Sequence, residues 1–238
     1  MNNLTVWSVC VGDKYDSAYV YALKEAIDKH LTIPHQFRCI TKRKMEGIQT
    51  VLPPVPYQGW WAKIGLFAPL VATGPSLYFD LDVVITGNIN YLADYVSHGT
   101  LAAPANWAQS GHGGIQSSVM AWPGNWTYPY DRIKPLWPGT ATPDGYRIFE
   151  GKKLWGDQEW LWHLLGDDWE KIPYIGSYKY HVRPTGKIPE WMKICVFHGE
   201  PKPIDIKDPC ISSYTSTLRN LIKSSMDNGS RKGLSITA

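Results

Sequence analysis

Charge is scarce in this 238-residue chain: Asp, Glu, Lys and Arg make up 19% of it, and the formal net charge is only +3. No long basic run concentrates that charge, which excludes the usual signature of a nucleic-acid or other polyanion partner. Long hydrophobic runs are also missing, so no segment is read as spanning a bilayer. The short apolar stretch over residues 4–11 runs straight into Gly12-Asp13-Lys14, which is not how a secretory signal continues. Cysteine is sparse and scattered. Cys10, Cys39 and Cys195 stand in strand-like apolar contexts, and with Cys210 they read as reduced thiols rather than a zinc cage or disulfide framework. No internal repeat is evident. These absences point to a cytoplasmic protein with no membrane span and no nucleic-acid partner. What the chain does have is tryptophan, twelve of them, and aromatic faces suit sugar rings as well as cores.

The length suffices for one large α/β domain with a substantial core. Residues 5–10 read as a buried strand, followed by a helix capped by Ser17 with Tyr19, Leu23, Ala26, Ile27 and His30 at helical spacing. Residues 36–41 read as a second strand, and this βαβ opening favours a parallel sheet. A proline-rich loop leads to a short helix over residues 60–70, with Trp60, Ile64 and Phe67 on one face. Residues 89–96 look helical, 101–103 and 117–122 strand-like, and 157–165 helical. Residues 194–197 form a late strand. Ser110-Gly111-His112-Gly113-Gly114 has the flexibility of a lid, while residues 123–154 show no clear period. The domain is taken as residues 1–210, with a donor-binding half to about residue 100 and an acceptor half beyond it. Residues 211–238 read as a Ser-rich, partly disordered tail with one marginal helix near residues 218–222.

The stretch Leu77-Tyr78-Phe79-Asp80-Leu81-Asp82-Val83-Val84-Ile85 is the centre of the chemistry. In extended backbone, residues i and i+2 point to the same side, so Asp80 and Asp82 can face one hard divalent cation at a strand end. Strand ends of open α/β sheets are where ligands bind. Asp-x-Asp alone is cheap, since about one such triplet is expected by chance in this composition. Its setting between two apolar runs is what raises it above a turn cap. A second piece is Val196-Phe197-His198-Gly199-Glu200-Pro201-Lys202-Pro203: the imidazole of His198 could add a nitrogen ligand, and Lys202 could neutralise a phosphate. A third is Gly156-Asp157-Gln158-Glu159, which also reads simply as a helix start with first-turn acids.

Together and in this order, these pieces resemble GT-A glycosyltransferases, especially the retaining family 8 type and a group of largely uncharacterised bacterial and phage relatives. Val9-Cys10-Val11-Gly12-Asp13-Lys14-Tyr15, Trp60-Trp61-Ala62-Lys63 and Ser117-Ser118-Val119-Met120 share in the likeness, which covers residues 5–203. The resemblance implies a Rossmann-like α/β fold with a mostly parallel central sheet flanked by helices. It implies an enzyme moving a hexosyl group from a nucleoside diphosphate sugar, a UDP-sugar by preference, to an acceptor hydroxyl of a glycan or other molecule, with retention. Asp80, Asp82 and His198 would bind Mn²⁺ or Mg²⁺, and Lys202 the donor diphosphate. Cys10, Val11, Gly12, Asp13 and Tyr15 would line the nucleotide pocket, with Thr41 nearby and Lys63 approaching the donor. Asp157 and Gln158 would lie beside the donor sugar as the catalytic pair. Two departures stand out: Gln116-Ser117 replaces an Asn followed by a small residue, and Ile204 replaces a Trp.

Two rival readings remain. Phe79-Asp80-Leu81-Asp82-Val83-Val84 also resembles the nucleophile motif of haloacid-dehalogenase-type phosphatases, with Gly166-Asp167-Asp168 as their later acidic motif. That reading leaves His198 and Lys202 unexplained. The other is a non-catalytic carbohydrate-binding GT-A relative with Trp107, Trp126 and Trp137 as stacking platforms, against which stands ordinary core packing of the same side chains.

Overall fold

A computed structural model of the chain describes residues 4–107, 114–137 and 145–232. In chain order the elements are β1 (Leu4–Val9), α1 (Ser17–His30), β2 (His35–Ile40), β3 (Gln49–Val51), a 3-10 helix (Gly59–Phe67), β4 (Ser76–Phe79), β5 (Val83–Ile85) and a second 3-10 helix (Asn90–Ser97). There follow β6 (Ala102–Ala103), β7 (Val119–Trp122), α2 (Tyr128–Ile133), β8 (Arg147–Phe149), β9 (Lys152–Leu154), α3 (Asp157–Leu165), β10 (Glu170–Lys171) and β11 (Ile175–Ser177). A π-helical turn (Tyr178–Val182) leads to β12 (Ile194–Val196), α4 (Pro209–Ser212) and α5 (Ser216–Lys232). The lid expected at Ser110-Gly111-His112-Gly113 lies outside the described residues.

The elements divide into two compact units. The larger takes the chain up to Gly12, Thr32–Asp80 and Ile89–Pro173. Its sheet has seven strands in the order β10-β6-β7-β4-β1-β2-β3. All neighbouring pairs are parallel except those made by β7, which runs against β4 and β6. The C-terminal ends of β1, β2 and β4 therefore emerge at one edge. β4 is buried along its whole length, as its unbroken Leu77-Tyr78-Phe79 run requires of a strand covered on both faces. The 3-10 helix Asn90–Ser97 packs against β4 and β7, and Gly59–Phe67 packs against β1, α2 and α3. Trp7, Phe67, Tyr78, Met120 and Trp122 form the heart of the core. This is the α/β architecture, mostly parallel and flanked by helices, that the sequence implied.

The helix expected over residues 60–70 differs in type, and the difference matters. A period of three, not 3.6, turns Trp61, Ile64 and Phe67 inward. Trp60, expected on the buried face, is 57% exposed instead.

The smaller unit takes Asp13–Leu31, Leu81–Asn88 and the chain from Tyr174 onward. Its sheet is β11-β12-β5, with β12 parallel to β11 and antiparallel to β5. α1 packs on β5 and on α5. The helix cap is Asp16, one residue earlier than expected: its carboxylate accepts from Ala18 N–H at 2.8 Å and from the Ser17 hydroxyl at 3.2 Å. An ionised oxygen is the stronger acceptor at a helix start. α4 and the long α5 replace one marginal helix, with Leu218 buried and Thr217 donating to Glu25 of α1 at 2.8 Å. Docking of an amphipathic face supplies what weak local propensity does not. Residues 233–238 lie outside the described part.

Candidate active site

In the larger unit, Asp80 follows the last residue of β4. Its N–H donates to Ser118 O at 2.8 Å, which ties it to the start of β7. Tyr78 OH donates to Asp80 Oδ1 at 2.5 Å, and Lys63 Nζ lies 3.0 Å from the same oxygen. The ammonium also stands 3.6 Å from Asp157 Oδ2 and 3.3 Å from Ser117 Oγ. Lys63 thus bridges two carboxylates that arrive from a strand end and a helix start. Asp157 opens α3 behind Gly156, where a Cβ would come within 2.8 Å of Trp60 Cβ. Only glycine lets α3 begin that close to the 3-10 helix. Gln158 Oε1 accepts a long hydrogen bond, 3.4 Å, from Ser117 N–H.

The two carboxylates titrate in opposite senses. Burial pushes Asp80 up, but Lys63 beside it, with the hydrogen bonds from Tyr78, Ser118 and Lys63 itself, holds it below the usual carboxylate range. Asp157 is 2% exposed, and burial pushes it up further than Lys63 and Ser117 bring it back.

At the same sheet edge, Cys10, Val11 and Gly12 continue from β1 and Thr41 from β2. Gly12 has φ +76°, a left-handed conformation that favours glycine. Arg43 joins these segments: its guanidinium donates to Gly12 O at 2.8 Å and reaches Cys10 Sγ at 3.3 Å, while its N–H donates to Thr41 Oγ1 at 3.1 Å. Sequence reasoning missed Arg43, because Lys42-Arg43-Lys44 reads as a solvated basic turn until β1 and β2 are paired. Gln116, one of the two departures, closes its own turn. Its amide donates to Ser118 Oγ and accepts from Ser118 N–H, both at 2.8 Å.

In the smaller unit, Asp82 immediately precedes β5 and His198 lies two residues beyond β12. These strands are antiparallel, with Val83 opposite Val196, so Asp82 and His198 leave from one end of the sheet. Asp82 Oδ2 accepts from both Tyr15 OH and Lys202 Nζ, each at 2.6 Å. Asp82 is 6% and Lys202 8% exposed. The Lys202 ammonium also lies 5.5 Å from the Tyr15 ring centroid. His198 Nε2 is 2.8 Å from Ser177 Oγ at the end of β11, and its ring stacks on Tyr180. Burial, then Lys179 and Lys202, push the imidazole below its ordinary value, so it is neutral at pH 7. Gly199 holds φ +70° immediately beyond. Asp13 is exposed. Neither Ser177 nor Tyr180 carried a sequence signal.

Among the described residues, no group of three or more His, Cys, Asp or Glu side chains stands ready to hold a metal ion. Within each unit a lysine balances the carboxylate, Lys63 beside Asp80 in the larger and Lys202 beside Asp82 in the smaller. The phosphatase motif fares worse. β10 runs in the direction of β4, and Asp167 and Asp168 precede β10 whereas Asp80 follows β4. The acids needed for that chemistry therefore sit at opposite edges of the sheet.

No protein-family model matches the chain, and no curated protein matches it in sequence. Solved structures do match it in fold. The galactosyltransferase LgtC, solved in complex with donor and acceptor sugar analogs, is 12% identical, with 91% of this chain and 95% of LgtC covered at a TM-score of 0.61. The glycosyltransferase GlyE of Streptococcus pneumoniae TIGR4 is 14% identical, with 96% of this chain and 64% of that one covered at 0.61. The bifunctional WbbM is 11% identical, with 92% and 50% covered at 0.62. The chain has the GT-A glycosyltransferase fold. Within that fold, Asp80 of the larger unit stands where parallel strands end and ligands bind. At such low identity the likeness is one of fold. Among the described residues, no helix is long and apolar enough to cross a membrane.

Proposed function

We propose that the chain is a metal-dependent glycosyltransferase that moves a sugar from a nucleoside diphosphate sugar, a UDP-sugar by preference, to an acceptor hydroxyl with retention. The observation that carries this reading is Asp80 at the carboxyl end of β4, paired with Lys63 in a GT-A fold. Asp80, Asp82 and His198 would hold Mn²⁺ or Mg²⁺, which supplies charge neutralisation of the donor diphosphate when bound. Lys202 is the chain's own contribution to the same task. Its ammonium is buried and already oriented by Asp82 and Tyr15, so little reorganisation is needed when negative charge grows on the departing phosphate. Cys10, Val11, Gly12 and Thr41, braced by Arg43, supply the nucleotide pocket, joined by Asp13 and Tyr15.

In the transfer, the bond between the anomeric carbon and the β-phosphate oxygen breaks, its electron pair leaving with the phosphate. The acceptor oxygen bonds to that carbon on the same face, and its proton passes to the departing phosphate. Asp157 and Gln158 face the sugar. Lys63 keeps Asp157 and Asp80 from repelling one another while positive charge develops on the ring.

A thermal-shift panel of nucleotide sugars with and without Mn²⁺ tests this directly. Stabilisation by one nucleotide sugar only in the presence of metal is expected, together with slow donor hydrolysis that Asp82→Ala abolishes. Full metal-dependent hydrolysis by Asp82→Ala would sink the assignment.

A further inference from the structure

The larger unit also holds a cleft of about 850 Å³, whose walls include Gln58, Trp60, Trp61, Tyr146, Arg147 and Trp155. Its aromatic residues do two different jobs. Trp137 at its base is packing: Tyr57 stacks on it at 3.5 Å, and the Arg147 guanidinium lies 3.4 Å from its ring centroid. Arg147 also donates to Trp137 O at 2.9 Å, so the guanidinium is held in place at the cleft. Trp60 and Trp155, by contrast, are 57% and 46% exposed. Tyr146 meets Trp155 edge-on with ring centroids 4.2 Å apart, which fixes the attitude of that indole.

Two exposed indoles cost the isolated protein apolar surface in water, and the cleft offsets this only when something flat and apolar lies against them. Among the described lining residues no carboxylate is present, and the polar side-chain groups are the donors of Arg147, the amide of Gln58, the Tyr146 hydroxyl and the indole N–H groups. Flat apolar surfaces beside fixed hydrogen-bond donors recognise a pyranose chain: ring C–H faces stack on indole, and hydroxyls accept from the rim.

Position narrows the occupant further. Trp60 is three residues before Lys63 on the same 3-10 helix, and at three residues per turn the two lie on one face. Trp155 is two residues before Asp157, and Gly156 between them packs against Trp60. The cleft is thus built on the same two elements that carry the Lys63–Asp157 contact. Resting on the glycosyltransferase reading, we infer that this cleft is the acceptor subsite and that the acceptor is a saccharide of at least two pyranose rings, stacked on Trp60 and Trp155 and hydrogen-bonded by Arg147 and Gln58.

The test needs no turnover. Full-length protein is titrated with maltotetraose, cellotetraose and chitotetraose at millimolar concentration, followed by tryptophan emission and saturation-transfer NMR, without metal or nucleotide. At least one tetraose is expected to bind and shift the emission. Trp155→Ala and Trp60→Ala, checked for folding by thermal melts, should each weaken it about tenfold, whereas Trp155→Phe keeps most of it. Should the alanine variants not fold, Arg147→Gln with unchanged melting takes their place, with the same expected loss. No binding by any tetraose, or binding unaffected by the folded variants, overturns the proposal. A parallel titration of wild-type protein with nucleotide sugars and Mn²⁺ separates the two failures. Saccharide binding without nucleotide-sugar binding would defeat the transferase reading and leave the cleft a saccharide site.

Discussion

Replacing Lys63 with methionine is the sharpest perturbation available in the larger unit. The side chain keeps its length and apolar stem but loses the charge that serves both Asp80, 3.0 Å away, and Asp157, 3.6 Å away. Removing one partner of a buried ion pair costs about 3–5 kcal/mol. Asp80 is one-fifth exposed at its side chain and keeps part of its hydration, so about 3 kcal/mol is the reasonable figure. For a protein of this size that lowers Tm by roughly 6–12 °C. The loss must also depend on pH. Asp157 already titrates above its ordinary value because of burial, and a raised group contributes stability below its unfolded pKa that is lost as pH rises through the folded one. Without Lys63 both Asp157 and Asp80 move upward, so the deficit relative to wild type grows from pH 5 to pH 8. Asp157→Asn in the Lys63→Met background should recover part of it, since the amide removes one uncompensated charge. Scanning fluorimetry of the three proteins at both pH values is the assay. A Lys63→Met melt within about 2 °C of wild type at pH 8, or a deficit equal at the two pH values, would refute the reasoning.

Lys202→Met takes the buried ammonium away from the 6% exposed Asp82 carboxylate in the smaller unit. It should destabilise by about 3 kcal/mol, and Asp82→Asn in that background should restore part of the loss, read by urea unfolding. The cysteines should resist modification in the folded protein. Burial pushes Cys39 up to about 12, and burial with the neighbouring Asp208 carboxylate pushes Cys210 up to about 11. Ellman's reagent at pH 8 should therefore find four thiols only after denaturation, and rapid reaction of a folded Cys39 would contradict the assignment.

Much of the fold was legible wherever one local signal agreed with the tertiary outcome. Gly156 followed by two first-turn acids gives the α3 start to the residue, and the unbroken apolar run before Asp80 gives a strand buried on both faces. The failures came where packing decided. The face of Gly59–Phe67 was misjudged because a 3.6 period was applied to a helix that turns every three residues. The hairpin β8–β9 is two three-residue strands, too short to show a period, and exists because each half finds the other. Of the candidate site, the acidic and basic side chains announced themselves by type and spacing. Their supports did not: Arg43 binds Gly12 and Cys10, and Ser177 holds His198, through contacts between segments far apart in sequence.

Each of the two compact units is stitched from three separate stretches of chain, and one of the five passages from one to the other falls between Asp80 and Leu81, inside the Asp-x-Asp triplet itself. A gene encoding such a protein cannot shed or acquire either unit by a single fusion or truncation, because no one cut frees a complete piece. Inheritance must pass both together, and variation is confined to what can be altered within the stretches. Laboratory exchange of parts between relatives faces the same rule: no chimera with one crossover point takes one whole unit from each parent.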